Sequence, residues 1–347
     1  VEEVLIQDES ETKTVEGLTV ARQRSVSAGD AIGREEISRG TDTNAARAAQ
    51  RVVGANIVGG RFVYVRGLGE RYSNSLLSMY PLPSPEPDRA AVPLDVFPAA
   101  VLDSLTIAKT FTPDMPGDFA GGSVQIETRS VPDKPLFNFS LQGGINSQAT
   151  FQDRLDYAGS GTDSLGFDSG MRSLPSQIPS DAIASGSTFP PGTRPVDIND
   201  MGRALNSSMA PRMTSTLPNH GFSAVGGNTW TLANGQKLGV LASLNYTHKY
   251  ERYQDMILRE FRPNAADERG FDNRLDYRIE RGVEKIVWGA FGKVSYLPAK
   301  NHKISVSGLH SQLADDTTSF FQGTNADAQA RFSASQLDWV PRSLTFG

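Results

Sequence analysis

Residues 237–250 alternate almost without exception. Leu238, Val240, Ala242, Leu244, Tyr246 and Tyr250 fall on one side of an extended chain, and Lys237, Gly239, Ser243, Asn245, Thr247 and Lys249 on the other. A period of two belongs to a strand with one apolar and one polar face, and it argues against a helix over the same residues. One large apolar residue stands on the polar side, Leu241. The pattern recurs elsewhere. Phe137, Phe139, Leu141 and Ile145 alternate with Asn138, Ser140, Gln142 and Asn146; Ile286, Trp288, Ala290, Val294 and Tyr296 with Gly289, Lys293 and Ser295; Ile304 and Val306 with Lys303, Ser305 and Ser307. A further strand is expected over 221–229, and a sixth begins at 336–346.

The connections between these strands carry a second signal. The spans 147–220, 252–281 and 315–334 read as long loops, whereas Asn234-Gly235 and 298–301 read as tight turns, so long and short connections take strict turns. Loops above about 12–15 residues are uncommon in compact soluble domains. Membrane-spanning barrels have short turns at one rim and long loops at the other. The aromatics fit two interfacial girdles, with Tyr246, Tyr250 and Tyr253 toward the long-loop end and Trp230 and Tyr296 near the short turns. Mean hydropathy is −0.35, and no apolar run approaches the roughly 20 residues of a spanning helix. Transmembrane strands leave little trace in such an average.

The N-terminal third has another texture. Val63 and Val65 alternate with Tyr64 and Arg66, and Leu105 and Ile107 with Thr106 and Ala108. Gly67, Gly69, Gly117, Gly121 and Gly122 mark turns or close backbone approach. The stretch 41–53, TDTNAARAAQRVV, opens on capping residues, is rich in Ala and Arg and stops at Gly54, which predicts a short helix. Pro132 and Pro135 bracket a linker.

Three landmarks follow one another between residues 61 and 129: the strand-Arg-Gly of 63–67, the Pro-rich turn of 81–89, and the unit 105–129 with its apolar strand, Gly121-Gly122 and Val-x-Ile-x-Thr. This ordered set resembles the plug domain of TonB-dependent outer-membrane receptors. The resemblance implies an α+β plug domain followed by an antiparallel transmembrane β-barrel. The family's barrel has about 22 strands, of which this chain holds the first five or six. The remainder of the barrel is then a required partner, because an open sheet edge in hydrocarbon leaves backbone groups unpaired. The implied organisation is a coupling-box-like segment and linker at 1–17, a plug at 18–133 and the opening part of the barrel at 134–347, with the three long loops extracellular.

By the same resemblance, the function is active import of a scarce or bulky solute, such as a siderophore, cobalamin or an oligosaccharide, across a bacterial outer membrane. Arg71, Tyr72, Tyr80 and Arg89, on a plug apex at 70–89, are candidate ligand contacts. Val4, Leu5 and Ile6 are candidate contacts to a TonB-like inner-membrane energy-coupling protein, by strand addition. Residues 1–7 also read as a first plug strand, a part that 18–21 can fill instead. Arg66 and Arg129 occupy positions where family plugs pair with barrel glutamates. Two departures mark a divergent branch: Ser78-Met79 stands where relatives carry a tight Asn-Gly turn, and 109–122 replaces the commoner last motif. The divergent turn and the very long first loop keep open an alternative, a structural or secretion-associated outer-membrane component that retains the fold without importing a nutrient.

No catalytic motif is present. There is no G-x-S-x-G, H-E-x-x-H, Walker A or Rossmann fingerprint, and neither an enzyme nor a cofactor is expected. The formal net charge of −5 offers no basic footprint for nucleic acid. The absence of cysteine removes disulfides and thiolate metal sites. Asp153, Asp156, Asp163 and Asp168 are oxygen ligands in kind but lack calcium-loop spacing, and the four histidines are scattered.

Overall fold

The computed structural model describes residues 17, 20, 28–40, 44–84, 92–113, 115–117, 119, 121–129, 131–132, 134–178, 195–205, 210–264, 267–299, 302–327 and 330–347. Val4, Leu5, Ile6 and Arg89 lie outside them, as do Leu18 and Ala21.

The N-terminal unit contains β1 (Gly29–Gly33), α1 (Arg34–Arg39), α2 (Ala45–Ala49), β2 (Ala55–Val58), β3 (Phe62–Val65), β4 (Ser73–Leu77), β5 (Tyr80–Pro81), β6 (Leu102–Ala108) and β7 (Gly122–Thr128). Five strands form a sheet in the order β1-β6-β7-β4-β5, and β2 and β3 make a separate hairpin. Within that sheet β4 and β7 run parallel and the other pairs antiparallel. The predicted helix is present as α2. The Asn44 side chain accepts a hydrogen bond from the Arg47 amide at 3.0 Å, which satisfies a first-turn donor. All four alanines of α2 are buried, so small side chains let the helix sit deep in the unit. The glycine pair is explained by contact: a Cβ at Gly122 would lie 2.7 Å from the Val65 side chain, so β7 runs too close to β3 for any other residue.

Ser78 and Met79 adopt φ of 49° and 68°. They join β4 to β5 in a two-residue hairpin loop, whose primed turn requires left-handed residues, the reason Asn-Gly is favoured there. The departure noted in the sequence has therefore kept the backbone and lost the residues that suit it.

The C-terminal part contains β8 (Leu136–Gly144), β9 (Asp153–Asp156), α3 (Pro195–Ala204), β10 (Arg212–Ser215), β11 (Asn219–Thr231), β12 (Lys237–Asn264), β13 (Asp267–Ala299), β14 (His302–Asn325) and β15 (Ala330–Phe346). Six of these form one open sheet in the order β15-β14-β13-β12-β11-β8, antiparallel throughout. This is the fold class expected: a plug-like α+β unit followed by the opening strands of an antiparallel wall. Its strand boundaries differ from expectation. The spans 252–281 and 315–334, read as loops, are largely strand: β12 and β13 stay paired out to Asn264 and Asp267, and β14 and β15 out to Asn325 and Ala330. A membrane crossing needs about 9–11 residues, and strands β12 and β13, at 28 and 33 residues, are far longer than that. Their polar residues hid them. Arg259–Asp276 at 3.1 Å and Arg274–Glu260 at 2.7 Å link β12 to β13 where apolar alternation has ended.

The plug-like unit sits against one face of the wall. Leu241 is fully buried in the same cluster as Phe97, Leu102 and Ile126, so the residue that broke the alternation points into the plug. The Val96 carbonyl lies 3.2 Å from where a Cβ at Gly289 would be, and Lys293 Nζ donates to Thr128 Oγ1 at 3.3 Å. On the other face Phe137, Leu141, Ile304 and Val306 are strongly exposed.

Candidate functional site: a charged cleft on the wall

Strand register gathers the site. Lys249, Lys285, Asp315 and Val340 stand side by side on four adjacent strands, and Glu251, Val283, Thr317 and Asp338 form the next row on the same face. Arg61 reaches this face from the end of the turn into β3. Its guanidinium grips Asp315 with two hydrogen bonds, Nη1 to Oδ2 at 3.1 Å and Nη2 to Oδ1 at 3.0 Å, the fork geometry of a strong charge-assisted pair. Nε of the same side chain stands 3.1 Å from Asp95 Oδ2. Arg342, from β15, adds a second cation to Asp315 at 2.8 Å. The Arg61 carbonyl accepts from the Leu94 amide at 2.8 Å, which ties the β2–β3 hairpin to the turn that carries Asp95. Burial pushes the Asp95 carboxyl up from its ordinary value, against the pull of Arg61 and Lys249.

Beyond this seal, toward the hairpin tips, lies an open cleft of about 560 Å³ lined by Glu251, Tyr253, Arg281, Lys285, Asp338 and Arg342 among others. Lys285 Nζ donates to Glu251 at 2.7 Å and Tyr253 Oη donates to the same carboxylate at 2.9 Å. Arg281 Nε donates to Ser319 Oγ at 3.0 Å. The cleft is thus rich in donors and in charges of both signs, with Tyr253 and Met256 supplying softer surface. Tyr253 is a correction to the girdle reading: it faces the cleft rather than joining Tyr246 on the outward face.

The residues singled out in the sequence fall elsewhere. Arg71, Tyr72 and Tyr80 are exposed on the turn into β4 and on β5, and none of them lines the cleft. Arg66, at φ 53°, donates from its guanidinium to the Lys109 carbonyl at 3.2 Å within the plug-like unit. Arg129 Nε donates to the Leu102 carbonyl at 3.3 Å. Burial and nearby Arg34 pull its guanidinium below the ordinary value, with Asp103 opposing. The arginine that does clamp the wall, Arg61, carried no signal of its own, because its acid lies 254 positions further on. Asp163 and Asp168 both pair with Arg172, at 2.6 and 2.9 Å. Among the described residues no group of three or more His, Asp or Glu side chains is arranged to hold a metal ion.

No family model matches this chain, and neither does any curated protein. Among solved structures it is similar to the siderophore receptor PirA from Pseudomonas aeruginosa, at 11% identity over 92% of this chain and 61% of that one, with a TM-score of 0.31. The outer membrane transporter YddB from Escherichia coli matches at 9% identity over 86% and 37%, with a TM-score of 0.37. The pyoverdine receptor FpvA from Pseudomonas aeruginosa PAO1, bound to pyoverdine, matches at 9% identity over 93% and 59%, with a TM-score of 0.31. The chain spans less than two thirds of the length of each.

Proposed function

We propose that this chain supplies the plug and opening wall of a TonB-dependent receptor in a bacterial outer membrane, and that the whole protein imports a scarce or bulky solute. The observation that carries the reading is the two-faced wall. One face is closed by a plug-like unit through Arg61 and Asp315, and the opposite face exposes Phe137 at 78%, Leu141 at 76% and Val306 at 72%. An outward apolar face is what lipid demands of a barrel and what water disfavours.

In this reading the short turns face the periplasm and the long hairpins the outside. The solute enters the cleft beside Arg281 and Tyr253, with Arg71, Tyr72, Tyr80 and Arg89 as further contacts from the plug. Coupling runs through Val4, Leu5 and Ile6 to an inner-membrane partner. Arg66 and Arg129 serve plug–barrel contacts to acids in the remainder of the barrel. Uptake measured under iron, cobalamin or carbohydrate limitation tests this. Deleting residues 1–7 should abolish energy-dependent uptake and leave surface binding intact. Induction and uptake under none of these conditions would overturn import and favour a structural envelope role.

A further inference from the structure

The outward face of the wall changes character at one row. Below it, toward the short turns, Leu244, Val294, Ile304 and Val306 stand exposed. At the row itself Tyr246, Trp288 and Gln312 are neighbours on β12, β13 and β14. Beyond it the same face carries His248, Glu284 and Asp316, and Ile286 is fully buried.

What covers that upper part is the stretch 153–174 of the first long connection, folded back as a strap. Three successive strap carbonyls take one donor from each of the three strands: Ser164 from Tyr246 Oη, Leu165 from Trp288 Nε1 and Gly166 from Gln312 Nε2, each at 2.8 Å. Higher up, Arg154 reaches Glu284 at 2.7 Å, and His248 meets the same carboxylate at 2.6 Å. The strap backbone sinks into a notch at Gly282, where a Cβ would collide with the Leu155 carbonyl. Arg172 ties down its far end, paired with Asp163 and Asp168 and stacked 4.2 Å over the Trp339 ring.

Two apolar strap residues at the lower edge remain uncovered: Leu165 is 50% exposed and Phe167 44%, the latter set edge-on to Trp288 at 6.0 Å. They continue the exposed apolar band of the wall just where its aromatic row ends. Tyr and Trp are the side chains that sit at a membrane boundary, apolar body toward the acyl chains and polar tip toward the wet side. Here both polar tips are taken by strap carbonyls instead of by water or lipid headgroups.

We infer that residues 153–174 form a shelf on the lipid side of the wall, seated at the boundary between acyl chains and headgroups of the outer leaflet, with Leu165 and Phe167 dipping into lipid. The inference rests on the wall crossing a bilayer. The shelf sets the upper limit of lipid contact and keeps Glu284, Asp316 and Gln312 out of hydrocarbon, where charged side chains on a lipid-facing strand are costly.

This chain contains no cysteine, so a single nitroxide label can be placed in it without background; the full-length protein, with any cysteine of the remainder replaced by serine, is inserted in phosphatidylcholine–phosphatidylglycerol vesicles. Leu165→Cys and Phe167→Cys should give oxygen-to-nickel accessibility ratios between those of Phe139→Cys, on the exposed band, and Phe261→Cys, on the projecting hairpin. Ratios at 165 and 167 equal to that at 261, with 139 still in hydrocarbon, would overturn the shelf and spare the membrane reading. An aqueous ratio at 139 would overturn both.

Discussion

Asp315 and Asp316 are neighbours in sequence and serve opposite sides of one wall. Asp315 faces the plug-like unit and receives Arg61 and Arg342. Asp316 faces outward, with Arg172 of the strap 3.8 Å away. Because successive side chains of a strand point to opposite faces, a dipeptide becomes two docking points. The two docks differ in kind. The inner one joins an apolar core that includes Leu241, Phe291 and Leu313. The outer one depends on carbonyl hydrogen bonds and on arginine pairs held by a segment with little core of its own. The plug should therefore be held mainly by packing, and the strap mainly by polar contacts that pH and single charges can release.

The largest effect should come from the core. Leu241→Ala should cost about 3 kcal/mol, the usual range for a fully buried leucine, whereas outward-facing Leu244→Ala should cost little. Chemical unfolding in detergent measures both, and equal losses would erase the distinction between faces. Arg61→Ala leaves Asp95 without its adjacent guanidinium and Asp315 with Arg342 alone; removing one partner of a buried pair costs about 3 kcal/mol. Proteolysis of the plug should then accelerate while the strap stays protected.

Arg172→Ala should act the other way round, freeing 153–174 to hydrogen exchange at a cost of about 2 kcal/mol in lost pairs and ring contact, with the plug unchanged. Protection of both regions falling together would mean that the two docks are one cooperative unit. A smaller and opposite change is expected at the β4–β5 turn. Replacing Ser78 by Asn together with Met79 by Gly should stabilise the plug by about 1 kcal/mol, since left-handed non-glycine residues are strained.

Acid should separate the docks further. Burial alone would raise the Asp163 carboxyl, but hydrogen bonds from Arg172 and Ser160 outweigh it and hold it below the usual range. A depressed folded value contributes stability that is complete above the unfolded value of about 3.9 and lost as pH falls through the folded one. Tyr157, Asp168, Arg172 and Asp316 surround this group. Exchange protection at 153–174 should fall on acidification before that of the plug core does, and a strap that holds equally well in acid would remove Asp163 from its account.

Much of the fold was legible in the order of residues. Alternation marked four of the six wall strands, with two more expected at 221–229 and 336–346; the Ala-rich stretch marked α2, and Leu241 stood out as an exception whose meaning only packing against the plug supplied. The extensions of β12 and β13 were not legible, since cross-strand pairs such as Arg259–Asp276 support a strand without any apolar period. Tyr253 was misread because it was grouped by position along the chain with Tyr246 and Tyr250, although its odd number puts it on the other face. The candidate site was the least legible part. Arg61, Asp95 and Asp315 are ordinary charged residues until register and packing bring them within 3.1 Å.

By itself the sequence determined which residues share a face, because the two-residue period is a property of the extended backbone. It also determined where turns must fall, because glycine, proline and asparagine restrict or free the local dihedrals. Only the tertiary structure decided what each face meets: the plug on one side of Asp315, the strap on the other side of Asp316. Those contacts join residues far apart along the chain, and their energy depends on register and burial, which no local pattern encodes.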